Sequence, residues 1–320
     1  MRKARRPTHR VRRLLRDGEA EKEDPGASRH VVSPSPSSRC NDRNTSMARE
    51  LTRLAEGIQG AEGPVFDRDG RLFMVCPPRG QVLEILADGE PRVVIEYDGI
   101  PAGLQVDRTN HIWIADMKRG ICRTTRQGAR TDVVSTFEDQ PIRGCNDCYF
   151  DSKGNLYFSA PAGSGRDQPV GEVYCRLTDG TVLRLDDGYR FSNGLAVSAD
   201  DATLIVAETF ACALWAYTIE SPGKVGEKRL FAKLPDDPGP DGMDFDDAGN
   251  LLVAHWGAST IDVFDRNGQL IERVAMPAAN VTNVHFGGRN RTTVFTTMGT
   301  PGEVWHFEWD RPGQAQYCEG

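Results

Sequence analysis

Four residues with oxygen-bearing side chains recur at one position of a repeating pattern: Glu62 in AEGPVFD, Asn146 in CNDCYFD, Asn193 in SNGLAVS and Asp241 in PDGMDFD. Two further positions of the same register hold Ala102 in PAGLQVD and Asn283 in TNVHFGG. Buried carboxylates and amides that converge are costly unless something pairs them. Two carboxylates with neutral amide carbonyls balance one divalent cation. An all-oxygen set of this kind selects Ca2+ or Mg2+ over zinc, and a wide channel with room for water suits the roughly six to eight ligands of Ca2+. A plainer reading takes Asn193-Gly194 and Asp241-Gly242 as hairpin dipeptides. It leaves Glu62-Gly63-Pro64 and the shared register unexplained.

The register comes from a turn-and-strand element of the form D-x-x-G-x-h-x-h-x-A, where h is apolar. It starts at 67 (DRDGRLFMVC), 107 (DRTNHIWIAD), 151 (DSKGNLYFSA), 198 (SADDATLIVAE), 246 (DDAGNLLVAH) and 287 (GGRNRTTVFTT). Each copy leads into a second apolar strand, and none has helical periodicity. Strand repeats about 40–48 residues long predict an all-β fold, a six-bladed β-propeller with four-stranded blades around a central channel. Equivalent inner-strand starts then face one end of that channel. Asp246 and Asp247 read as turn chemistry, since Asp bonds its own backbone there, and the spacing of GPDGMDFDDAGN does not make an EF-hand. Ile100, Met117, Phe191 and Trp256, with Ala115, Ala160, Ala207 and Ala254, fall near the same positions and suggest an apolar pocket over the ion.

Bulk properties narrow the partners. Residues 1–46 are basic, then rich in Ser and Pro, and are expected to be a disordered extension, a variable tail or sequence upstream of a start at Met47, in preference to a targeting peptide or nucleic-acid arm. Residues 47–320 form the propeller domain, with 27 Lys/Arg against 40 Asp/Glu. That balance argues against nucleic acid and suits a bound cation. No apolar run reaches the ~20 residues of a membrane span, and no secretory signal is evident. A cytoplasmic monomer acting on a small molecule is the expectation, with its eight cysteines reduced. Cys145-Asn146-Asp147-Cys148 is formally C-x-x-C, but it runs into a strand-like CYFD and lacks the further ligands of a zinc site.

The segments EGPVFD, NGLAVSAD and PDGMDFD, with IPAGLQVD, IADM, GCNDCYFD, APAG, LIVAET and FEWDRPGQAQYCE, resemble the SMP-30/gluconolactonase superfamily of six-bladed calcium propellers, and within it the branch that hydrolyses organophosphorus fluoridates. The resemblance covers about Met47 to Gly320. It implies a catalytic calcium held by Glu62, Asn146, Asn193 and Asp241. Asp241 would be the nucleophile that attacks phosphorus, with attack by calcium-bound water as the rival. It also implies a second, structural calcium at Asp244, the Val284 carbonyl and His285, and leaves Asn283 off the catalytic ion. The chain departs from the pattern at Gly299, where a pocket histidine is expected, and in shorter connections at CPPRGQ and after APAG, which should open the pocket mouth. The expected activity is calcium-dependent hydrolysis of P–F or P–CN bonds in compounds such as diisopropyl fluorophosphate. The alternatives are a sugar-acid lactonase and a non-catalytic binding scaffold.

Overall fold

Short apolar segments separated by Asp- and Gly-bearing turns form antiparallel strands throughout the computed structural model, which describes residues 49–319 apart from 143 and 162. The expected extension at 1–46 lies outside the described residues. Six four-stranded sheets follow one another along the chain. Their innermost strands are Glu62–Phe66, Pro101–Val106, Cys148–Phe150, Ser192–Val197, Pro240–Phe245 and Val281–Gly287. The fourth blade carries an extra two-residue strand, Lys224–Val225. The last blade borrows its outermost strand, Thr52–Ala55, from the other end of the chain, where it pairs antiparallel with Glu303–Glu308. Among the described residues no helix is long and apolar enough to cross a membrane.

Burial falls from the axis outward. The inner strands of every blade but the first are buried at every residue, whereas an outer strand such as Pro91–Glu96 has no buried residue. Apolar side chains interdigitate between consecutive blades, as where Tyr149, Leu195, Val206, Met243 and Val253 join the third, fourth and fifth. Burying such faces drives assembly of the ring.

The Asp-x-x-Gly turns form as the sequence predicts. Asp67 Oδ1 accepts the Asp69 and Arg71 amides, both at 2.9 Å, and Asp107, Asp151 and Asp246 repeat the arrangement. The hairpin reading of Asn193-Gly194 and Asp241-Gly242 is overturned. Both pairs lie inside strands, and neither glycine is left-handed. Their glycines serve packing instead: a Cβ on Gly63, Gly103, Gly194 or Gly242 would run into the next blade at Ala102, Asn146 and Asp147, Asp241 or Asn283 respectively. Absent side chains let adjacent inner strands close on the axis.

At the end of the channel beyond these turns, the C-terminal segment crosses the ring and touches every blade. Cys318 meets Phe66, Arg108 stacks on Tyr317, Tyr317 packs on Phe150, Gln314 bonds the Val197 carbonyl, its amide N–H reaches the Phe245 carbonyl, and Gly313 bonds Arg291.

Candidate metal centre

Each expected ligand sits where its inner strand is irregular. The ladder slips between Glu62 and Val65, Ser192 and Leu195, and Pro240 and Met243. In the third blade, regular pairing starts only at Cys148, and Asn146 and Asp147 are held by bonds to and from Ser159. Bulges of this kind re-aim side chains next to functional sites. Asp241 and Asn193 are buried, while Glu62 and Asn146 are half-buried.

The side chains are electrostatic neighbours. Burial first, then the carboxylates of Asp241 and Asp147, push Glu62 well above the usual carboxylate range. Burial and Asp147 do the same to Asp241, opposed by hydrogen bonds from Asn193 and the Gly242 amide. Asp147 itself is pushed up to about 7, mainly by burial, against hydrogen bonds from the Cys148 amide and Asn283. Three crowded carboxylates with weak local compensation are a place where a cation is favoured.

Asn193 provides the test of whether a cation fits. Its Nδ2 donates to Thr209 Oγ1 at 3.0 Å, and the Thr209 hydroxyl donates to the Pro240 carbonyl at 2.7 Å. A carbonyl can only accept, so the hydroxyl hydrogen is committed there and its lone pair takes the amide N–H. The amide is thereby turned with Oδ1 away from Thr209, and that oxygen is buried without a hydrogen-bond partner. A hard cation would satisfy it and the crowded carboxylates together. Asn283 is fully engaged: Nδ2 donates to Glu62 Oε2 at 3.1 Å and Oδ1 accepts the Val284 amide at 2.8 Å. It steadies Glu62, and its one side-chain oxygen already accepts an amide, unlike Asn193 Oδ1. Among the described residues no group of three or more His, Cys, Asp or Glu is arranged as metal ligands; half of the expected set is amide.

At the second expected site, Asp244 and His285 are buried, and His285 Nδ1 lies 3.4 Å from Asp244 Oδ2. His285 Nε2 has no partner, and burial lowers the affinity of this ring for a proton. Asp244 is less in need of a cation. It accepts hydrogen bonds from the Phe245 and Phe286 amides, the Tyr149 hydroxyl and Gln316 Nε2.

Of the pocket residues, Ile100, Met117, Phe191 and Trp256 are all half-buried, with Met117 Sδ 4.0 Å from Asn146 Nδ2. Phe191 holds a left-handed backbone, φ 70°, with its ring edge-on to Phe210. For a bulky residue this is strained and belongs to positions fixed by their surroundings. Ala115, Ala160, Ala207 and Ala254 are instead fully interior and pack in the blade cores. At Gly299 an added Cβ would press on the Thr282 methyl at 3.1 Å, a tight contact. Cys145 and Cys148 are free, buried thiols whose ionisation burial opposes.

Sequence reasoning missed Asp147 and Thr209. Asp147 carried a signal: of the six positions that follow the register residues, four are glycine (63, 103, 194 and 242), and Asp147 is the one that is charged, the other being Val284. Gly103 leaves the space that its carboxylate occupies.

The model of the SMP-30/Gluconolactonase/LRE-like region matches residues 60–300. The chain is 39% identical over 299 residues to diisopropyl-fluorophosphatase of Loligo vulgaris, covering 84% of this chain and 95% of that one. It is 28% identical over 258 residues to pentonolactonase XacC of Haloferax volcanii, covering 79% and 87%. Its fold matches a calcium-binding protein, regucalcin, from Agrobacterium tumefaciens, with a TM-score of 0.73 and 20% identity over 84% of this chain and 96% of the other. On its six blades and these matches, the chain belongs to the SMP-30/gluconolactonase/LRE-like family.

Proposed function

We propose that this chain is a calcium-dependent hydrolase that cleaves the P–F or P–CN bond of organophosphorus triesters. The observation that carries the reading is the buried, unpartnered Asn193 Oδ1 beside the crowded Asp241 and Glu62. The 39% identity to a fluorophosphatase, extending over 95% of that protein, supports the substrate class. Glu62, Asn146, Asn193 and Asp241 would hold the ion, which when bound would draw charge from the phosphoryl oxygen. Asp241 is the nucleophile: a carboxylate oxygen bonds to phosphorus, the P–F bond breaks, and fluoride leaves with the electron pair. Water then attacks the carboxyl carbon, so the phosphate departs with the Asp241 oxygen and the carboxylate is restored. Ile100, Met117, Phe191 and Trp256 receive the apolar ester groups and exclude water. A second ion at Asp244, Val284 and His285 would be structural.

A lactonase reading has its own support in the likeness to a pentonolactonase and in glycine at 299, where the organophosphorus-hydrolysing branch implies a pocket histidine. Fluoride release from diisopropyl fluorophosphate and ring opening of gluconolactone, each with calcium and with a chelator, separate the two. Chelator-sensitive fluoride release is expected. Activity on the lactone alone would replace the proposal, and inactivity on both with calcium bound would leave a binding scaffold. In a single turnover in 18O-water, unlabelled phosphate is expected; label in that product would mean direct water attack.

A further inference from the structure

The second strand of every blade ends at an equivalent residue: Cys76, Asp116, Ala160, Glu208, His255 and Met298. All six are buried. Three are apolar or a thiol and three are polar. The polar ones stand in the second, fourth and fifth blades, which also carry Ile100 and Met117, Phe191, and Trp256. Each reaches into the loop that holds its blade's apolar wall residue or the approach to a ligand. Glu208 Oε1 accepts the amide of Arg190, the residue before strained Phe191, while Oε2 takes the Trp215 indole, both at 2.7 Å. His255 spans from Asp262 to the Asp236 carbonyl, 3.0 Å on each side, in the loop leading to Asp241.

Asp116 is the most complete case. One oxygen accepts the Lys118 and Arg119 amides at 2.7 and 2.9 Å, which bends the chain around Met117. The other accepts the Ile100 amide at 3.0 Å and the Tyr97 hydroxyl at 2.8 Å. A single carboxylate thus ties together the two loops bearing Ile100 and Met117, and the Met117 amide closes the link on the Ile100 carbonyl at 2.9 Å. Gly99 has no side chain because a Cβ would collide with Asp116 and Tyr97. Hydrogen bonds to a charged, buried acceptor are the stronger kind, and a donor left facing no acceptor is costly.

We propose that Asp116, Glu208 and His255 are positioning residues that set the shape of the apolar wall over the ligand set, with Asp116 fixing Ile100 and Met117. They act through backbone loops and touch no ligand. The assignment rests on the proposed function for its kinetic consequence but not for its structural one.

The test uses the full chain with Asp116→Asn, whose amide NH2 must face either the Ile100 and Tyr97 donors or the Lys118 and Arg119 donors, and Tyr97→Phe, which removes one of four donors and serves should the first variant not fold. For Asp116→Asn, the KM for diisopropyl fluorophosphate should rise about tenfold with kcat and the calcium Kd within about twofold. Tyr97→Phe should raise KM less than about threefold. Hydrogen exchange should accelerate at the Ile100, Lys118 and Arg119 amides and stay unchanged elsewhere. A calcium Kd that moves as far as KM would place Asp116 in the ion site and overturn the proposal, as would unchanged KM. If the wild-type chain hydrolyses neither ester nor lactone, the proposed function falls, but exchange still decides this inference: unchanged protection at those amides overturns it.

Discussion

Asp107 and Asp241 lie at the two ends of the channel and are held in opposite ways. At the turn end, Asp107 takes the Thr109 and His111 amides, the Thr109 hydroxyl and the Trp113 indole. Burial raises its proton affinity, yet these donors outweigh it and hold the carboxyl below its ordinary range. At the strand-start end, Asp241 has fewer donors and a carboxylate neighbour in Asp147, and is pushed well above that range. A carboxylate satisfied by its own turn is structural. One left short of donors, beside others in the same condition, marks where a ligand binds.

The sharpest way to break this contrast is a pair of substitutions. Asp241→Asn should lower kcat/KM for fluoride release by about 10^3-fold or more, with thermal stability kept or raised, because a crowded charge is removed. Asp107→Asn turns an amide toward the Trp113 donor. It should cost about 1–3 kcal/mol of stability and leave turnover within about twofold. Activity retained in the first variant, or lost in a folded second one, would erase the distinction between the two ends. Next in size, Thr209→Val frees the Asn193 amide to rotate. Calcium affinity by titration calorimetry should fall about 10–100-fold, the usual cost of losing a group that orients a ligand, and an unchanged affinity would mean that Asn193 is not held for a cation.

The smallest effect is in pH. Asp147 titrates near 7 and Glu62 and Asp241 higher than usual in the fold, so the folded chain keeps protons that the unfolded chain releases. Their stabilising contribution is present at low pH and lost as pH rises through the folded values. Without calcium, Tm should drop on the order of 5 °C between pH 5 and 8. Excess calcium should flatten the slope, and affinity should weaken on acidification because ligands must be deprotonated. A calcium-free Tm that rises over this range would sink the crowding argument.

What the sequence made legible was whatever repeats locally. The turns at 67, 107, 151 and 246 announce themselves because Asp acts within a few residues with Gly or, at 110, Asn, and that period places Glu62, Asn146, Asn193 and Asp241 in register. The missing parts depend on distant partners. Thr209 matters only because Pro240 and Asn193 come to it from neighbouring strands. Asp116 looks like the end of an apolar strand until Ile100 folds back on it. The bulges at the candidate ligands leave no mark in composition, and the crossing made by Gln314, Gln316 and Tyr317 has no periodicity to detect.

The borrowed strand Thr52–Ala55 has a consequence for biogenesis. Its partner, Glu303–Glu308, is separated from it by almost the whole ring, so the circle can be latched only after the last blade has left the ribosome. Loop-closure entropy grows slowly with length, which makes the delay kinetic: five blades wait with an open seam. A circular permutant that joins these two segments in one hairpin should close that seam early and refold faster than the parent chain.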